Sequence, residues 1–115
     1  MDQKGQIFVK QKLSGTDFSR AELKWAKFGK SDLRGCNFDG ANCRRADFRG
    51  ADLTGASFRD ARLQKANFQG AVLRDVKFDG ARLDGAEFDE DVSAWLLMHG
   101  YISNHREQND PDIAL

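Results

Sequence analysis

With 115 residues, 40% of them hydrophobic and 31% charged, the chain has the size of one domain with a narrow core and a large polar shell. Its 18 basic residues balance 18 acidic ones, so no global field steers it toward nucleic acid or an anionic membrane. No apolar run approaches a membrane span, and residues 1–13, MDQKGQIFVKQKL, lack a secretory signal's apolar stretch, which predicts a cytoplasmic protein with no membrane partner.

Residues 1–10 form an N-terminal cap or a partial repeat, because QIFVK holds Phe8 in phase with everything that follows. Residues 11–90 then divide into sixteen consecutive pentapeptides without an insertion. The central position alternates Leu and Phe, as in Leu53, Phe58, Leu63 and Phe68, and Cys43 is its single exception. Two residues earlier sits something small, most often alanine, and only Gln11 suits that slot poorly. Two residues after the centre, glycine fills half of the positions, including Gly35, Gly55 and Gly80.

Neither regular element can bury a five-residue period. On an α-helix a five-residue step rotates about 140°, so the large side chains would spiral around every face. In a continuous strand an odd step flips successive centres between faces. A short extended segment solves the problem by pointing the small residue and the centre the same way. The chain must then turn at a residue tolerant of positive φ. Repeated turning in one sense makes an all-β solenoid. The nine phenylalanines, Phe8 to Phe88, recur at intervals of ten. Four sides stack residues twenty apart and place Phe on Phe, whereas three sides would alternate Phe with Leu in each column. Uniform columns pack better, which favours four sides and about four coils.

The units ANFQG and ADLTG resemble the pentapeptide-repeat family, and the resemblance covers residues 11–90. It implies a right-handed quadrilateral β-helix, a cytosolic non-enzymatic protein, and, in some members, imitation of duplex DNA at DNA gyrase or dimerisation through the C-terminal end.

The repeat register ends after Glu90, and DVSAWLLMHGY follows, a short C-terminal α-helix expected within 91–102. Asp91 or Ser93 is the candidate cap, and Gly100 the stop. Val92, Trp95, Leu96 and His99 share one side of its wheel, and Ala94, Leu97, Met98 and Tyr101 the other. One apolar side is expected to close the last coil and the other to meet a second copy in a two-fold homodimer. Alternatively, residues 103–115, SNHREQNDPDIAL, fold back over it; otherwise that stretch reads as a polar mobile tail.

Chemistry is sparse. His99 and His105 lie outside the repeats, no nucleophile occupies a recognisable motif, and no phosphate-cradling loop is present. Aspartates such as Asp47 and Asp52 precede the centres, where they bond to turn backbone. Cys36 and Cys43 fill inward slots without CxxC spacing and are expected as free, buried thiols. The reading is therefore no enzyme, no cofactor and no metal.

Function falls to the exterior. The side centred on Leu23, Cys43, Leu63 and Leu83 carries Lys24, Arg44, Arg45, Arg62, Lys65 and Arg82 against only Glu22 and Asp84, while the other three sides are balanced or slightly acidic. Trp25 stands on this side where glycine is usual. An outward tryptophan among arginines has the composition of an interaction hot spot, although residues 1–10 folding over it as a cap explains it equally. Lys24, Trp25, Arg44, Arg45, Arg62, Lys65 and Arg82 are thus the candidate partner-binding surface, unless the column simply solvates one side of the rod. Nucleic acid is disfavoured, because Trp25 is the side's one stacking aromatic. The leading reading is a protein-binding scaffold. The alternative is a DNA-mimic modulator of DNA gyrase, which needs a longer and more acidic surface than this one.

Overall fold

The computed structural model describes residues 5–102, so residues 1–4 of the expected cap, His105 and the whole 103–115 tail lie outside the described residues. The backbone pairs with itself every twenty residues. Ile7 faces Lys27, Lys12 faces Asp32, Asp17 faces Asn37, and the parallel series runs on to Asn67 with Glu87. Twenty residues per turn in five-residue units make four sides, and residues 6–10 already belong to the first of them.

Each side is too short for a conventional strand, and its backbone polar groups are satisfied by the coils above and below. Phe28 N–H donates to the Asp47 carbonyl at 2.7 Å, and Asp47 N–H donates to the Ala26 carbonyl at 2.8 Å. The sides meet at tight turns. Ala26 N–H, for example, donates across the corner to the Leu23 carbonyl at 3.0 Å. Every corner residue from Lys10 to Gly85 has positive φ, and eight of them are not glycine: Lys10, Arg20, Trp25, Lys30, Arg45, Asp60, Lys65 and Asp75. The left-handed region disfavours a side chain by about 1–2 kcal/mol, so stacking, rather than the residue's own preference, imposes the corner.

The residue before each centre fastens the turn. Asp32, Asn37, Asp47 and Asp52 accept the N–H two residues on, in Arg34, Asp39, Arg49 and Thr54, at 2.8–3.2 Å. This Asx geometry reproduces a turn with a side chain. Gln11 is the local failure, and a serine one coil away repairs it. Ser31, 2% exposed, accepts from Gln11 N–H at 2.9 Å and donates its hydroxyl to the Phe8 carbonyl.

The interior is two facing aromatic stacks between aliphatic walls. Phe8, Phe28, Phe48, Phe68 and Phe88 stack at 4.8–5.1 Å, and Phe18, Phe38, Phe58 and Phe78 at 4.7–5.6 Å. The two stacks meet edge to face, as in Phe48 against Phe58 at 5.5 Å and 86°. Such pairs add about 0.5–1.5 kcal/mol each beyond area burial. Leu33, Leu53, Leu63 and Cys43 complete the section without exposure, and both Cys36 and Cys43 are free thiols. Burial pushes both thiols above their ordinary range.

The ends depart from the sequence expectation in two places. The helix, α1, runs Glu90–Met98, and its N-cap is Asp89, not Asp91 or Ser93; Asp89 makes no side-chain cap bond. Its carboxylate is already engaged at 3.1 Å by Gly70 N–H, one coil below. Tyr101 does not share a helix side with Leu97 and Met98. Gly100, at φ 77°, closes α1, with Gly100 N–H on the Leu97 carbonyl at 3.2 Å and Tyr101 N–H on the Leu96 carbonyl at 2.9 Å. This Schellman closure turns the chain back. Tyr101 therefore packs toward the core and reaches Asp79 through its hydroxyl at 3.3 Å. Of the helix residues only Leu96 is fully buried, while Trp95, on the same side of the wheel, remains 50% exposed.

Candidate partner-binding surface

Twenty-residue stacking determines what the exterior presents. Glu22, Asn42, Arg62 and Arg82 form one parallel column just before the Leu23, Cys43, Leu63 and Leu83 centres. Lys24 and Arg44 follow the centres, and Trp25, Arg45 and Lys65 take the adjoining corner with φ of 67°, 59° and 62°. All seven candidate residues therefore share one side and its edge.

Trp25 has two environments at once. Gly5 lies against its backbone so closely that a Cβ there would overlap the Trp25 carbonyl, which only glycine permits. Its ring is partly exposed and sits beneath the Arg45 guanidinium, 5.0 Å from Cζ to ring centroid. The described N-terminal chain thus caps the backbone of Trp25, and Arg45 engages the ring by a cation–π contact.

Ion pairing separates this side from the others. Among the described residues Arg34 pairs with Asp32 at 2.7 Å, Arg49 with Asp47 at 2.8 Å and Arg59 with Asp79 at 3.8 Å, one pair on each of the remaining three sides. The first two arise within one repeat, from an aspartate before the centre and an arginine after it. These contacts hold the Asp32 carboxyl down at about 2 and that of Asp47 below its ordinary range, chiefly through the arginine hydrogen bonds. On the basic side the aspartate slot holds Glu22, Asn42, Arg62 and Arg82 instead. Among the described residues none of its arginines or lysines lies within ion-pair distance of a carboxylate.

Arg44 is steadied by a neutral amide. Its Nε donates to Asn42 Oδ1 at 3.0 Å, and Asn42 Nδ2 donates to Glu22 Oε1 at 2.8 Å. Between the columns lies an open hollow of about 460 Å³ lined by Arg44, Asp60, Arg62, Gln64, Gly80 and Arg82. Gln64 Oε1 is buried there with no hydrogen-bond partner among the described residues. Asn42, Asp60 and Gln64 were absent from the sequence candidates. Asn42 was legible as a turn residue, but its lateral link to Glu22 and Arg44 appears only once coils stack.

A second hollow, of about 620 Å³, lies between the last coil and α1, against Val72, Leu73, Val76, Phe78, Val92, Trp95 and Leu96. Val72 and Trp95, with Leu97 and Met98 nearby on α1, leave apolar surface exposed, 81% at Met98.

This fold matches a known class. The chain matches pentapeptide repeats in eight copies over residues 16–55 and 56–90, and it belongs to that family. Its architecture is the right-handed quadrilateral β-helix shared with solved pentapeptide-repeat structures. HetL, a protein involved in heterocyst differentiation regulation from Nostoc sp. strain PCC 7120, is 32% identical, with a TM-score of 0.52 over 66% of this chain and 38% of HetL. The chain thus spans well under half of HetL's length. The alr5209 protein of Nostoc PCC 7120 is 22% identical, with a TM-score of 0.56 over 74% of this chain and 86% of the other. Rfr23 from Cyanothece 51142 is 22% identical, with a TM-score of 0.40 over 76% and 83% of the two chains. No curated protein sequence matches the chain.

Proposed function

We propose that this protein is a non-catalytic, cytoplasmic scaffold that binds another protein through its basic side and assembles as a homodimer through α1. The observation that carries the binding reading is the Trp25–Arg45 contact at 5.0 Å, which sets a partly exposed aromatic inside a run of cationic side chains. Aromatic and arginine residues clustered this way dominate protein interfaces. Capture from the native host by wild type, W25A and R45E tests it. The two variants should lose the captured partner while their melting temperatures stay close to wild type. Equal loss of stability and capture would make Trp25 a capping residue only.

The dimer reading rests on the hollow beside α1, with Val72, Leu73 and Trp95 at its wall, and on a coil edge at Val72 and Leu73 over which no further coil stacks among the described residues. A second copy offers both a matching edge and a matching apolar face. Sedimentation at micromolar concentration should give a dimer, and L97E/M98E a monomer; a wild-type monomer would refute it.

The DNA-mimic reading stands second. It is favoured by the exposed acidic groups Asp79, Asp84, Glu87, Asp89, Glu90 and Asp91 at the C-terminal end, which a dimer would bring toward its centre. Protection or inhibition of DNA gyrase at stoichiometric protein in a supercoiling assay would put it first.

A further inference from the structure

The scaffold reading leaves the partner's chemistry open, and the inference here rests on that reading. Wherever an arginine follows an aspartate within a repeat, as in Asp32–Arg34 and Asp47–Arg49, the exterior neutralises itself. On the basic side Arg62 and Arg82 stand in the aspartate slot, stacked in parallel one coil apart. Like charges one rung apart, about 4.8 Å between strands, repel each other, and a local carboxylate would relieve them. Arg44 is held by Asn42, so it too keeps its charge unneutralised. Beside them lies the open hollow lined by Arg44, Asp60, Arg62, Gln64, Gly80 and Arg82.

We propose that the Arg44–Arg62–Arg82 side binds an extended acidic segment of another protein. Its carboxylates supply the counter-charges that the repeats omit along the Arg62–Arg82 column and in the hollow beside it. Alternate carboxylates on an extended segment lie about 7 Å apart, within reach of guanidinium groups one or two rungs apart. Asp60, the hollow's own carboxylate, repels acid at its edge and directs the segment toward the Arg45 and Lys65 corner. A nucleic-acid strand fits less well. Trp25 is the side's one aromatic for stacking bases, and one face of its ring already carries the Arg45 guanidinium.

The test is fluorescence anisotropy with a labelled ten-residue peptide of alternating Glu and Ser, beside a Lys/Ser peptide, a ten-nucleotide single strand and a DNA duplex. Wild type should bind the Glu peptide in preference to the others, and more weakly as salt rises. R62E/R82E should weaken that binding by about tenfold or more. K12E/R74E, which changes net charge equally on the opposite side, should leave it within about twofold. Thermal melts establish that both variants are folded. Failure to bind the Glu peptide, preference for either DNA, or equal weakening by the two double variants would overturn the proposal. Capture from the native host separates the two levels. A partner still captured by R62E/R82E sinks the acidic-segment proposal and leaves the scaffold standing; no capture by wild type sinks both.

Discussion

Phe58 sits at the middle of the aromatic interior and is fully buried. Its ring stacks on Phe38 at 4.7 Å and Phe78 at 5.6 Å, and meets Phe48 and Phe68 edge-on at 5.5 and 5.7 Å. Phe58→Ala removes all four contacts and leaves a hole that rigid stacked coils cannot collapse. Core Phe→Ala changes cost about 3–5 kcal/mol, and four aromatic neighbours place this one near the upper end. Against a typical domain stability of about 5–15 kcal/mol, that is a large fraction of the total. Phe8 provides the comparison. It is half-buried at the open end, with one stacked neighbour, Phe28, and one edge-on neighbour, Phe18. Phe8→Ala should therefore cost about 1–2 kcal/mol. Urea titration followed by circular dichroism measures both. Equal losses, or a loss under about 1 kcal/mol for Phe58→Ala, would refute the reasoning that like-on-like stacks hold the rod.

Three further outcomes follow from particular residues. Asp75 has φ of 59° and an exposed side chain. Asp75→Gly should raise stability by about 0.5–1 kcal/mol in a urea titration, since relief of left-handed strain outweighs glycine's added freedom in the unfolded chain. Ser31→Ala strands Gln11 N–H and the Phe8 carbonyl, and should cost about 1–3 kcal/mol and speed hydrogen exchange in residues 6–11. The carboxyls of Asp32, Asp47 and Asp17 are all lowered, the first to about 2. Groups depressed in the folded state favour folding above about pH 4 and lose that contribution as the folded form takes up protons. The urea midpoint should fall between about pH 4 and pH 2, less steeply in Asp32→Asn.

Much of this was legible because the sequence repeats its chemistry in step with its geometry. Phenylalanine at every tenth position identifies the twenty-residue stack, since only that register sets Phe48 on Phe68. The basic side follows from the same register, and so does the proximity of Trp25 to Arg45. What was not legible depends on lateral neighbours. Ser31 reads as a small inward residue, and its hydroxyl matters only because Gln11 lies one coil away. Asp89 is hidden as a cap because the repeat register runs through Glu90 and claims it for the last pentapeptide, and its bond to Gly70 N–H, nineteen residues back, has no local signal. A helical wheel carries Tyr101 past Gly100 onto the side of Leu97 and Met98, where the Schellman closure instead reverses the chain. Gln64 carries no local signal, because the residues that share its hollow, Arg44, Arg62 and Arg82, come from three different coils.

Paired cysteines test directly whether Arg62 and Arg82 lie one above the other. In the structure they face each other across parallel coils, whereas a fifteen-residue turn would set Arg62 against Lys77 instead. Under mild oxidation R62C/R82C should form an intramolecular disulfide, since adjacent rungs fall within the Cα separation such a bond requires. R62C/K77C should stay reduced. Crosslinking of the second pair and not the first would contradict the four-sided coil and disperse the basic side with it.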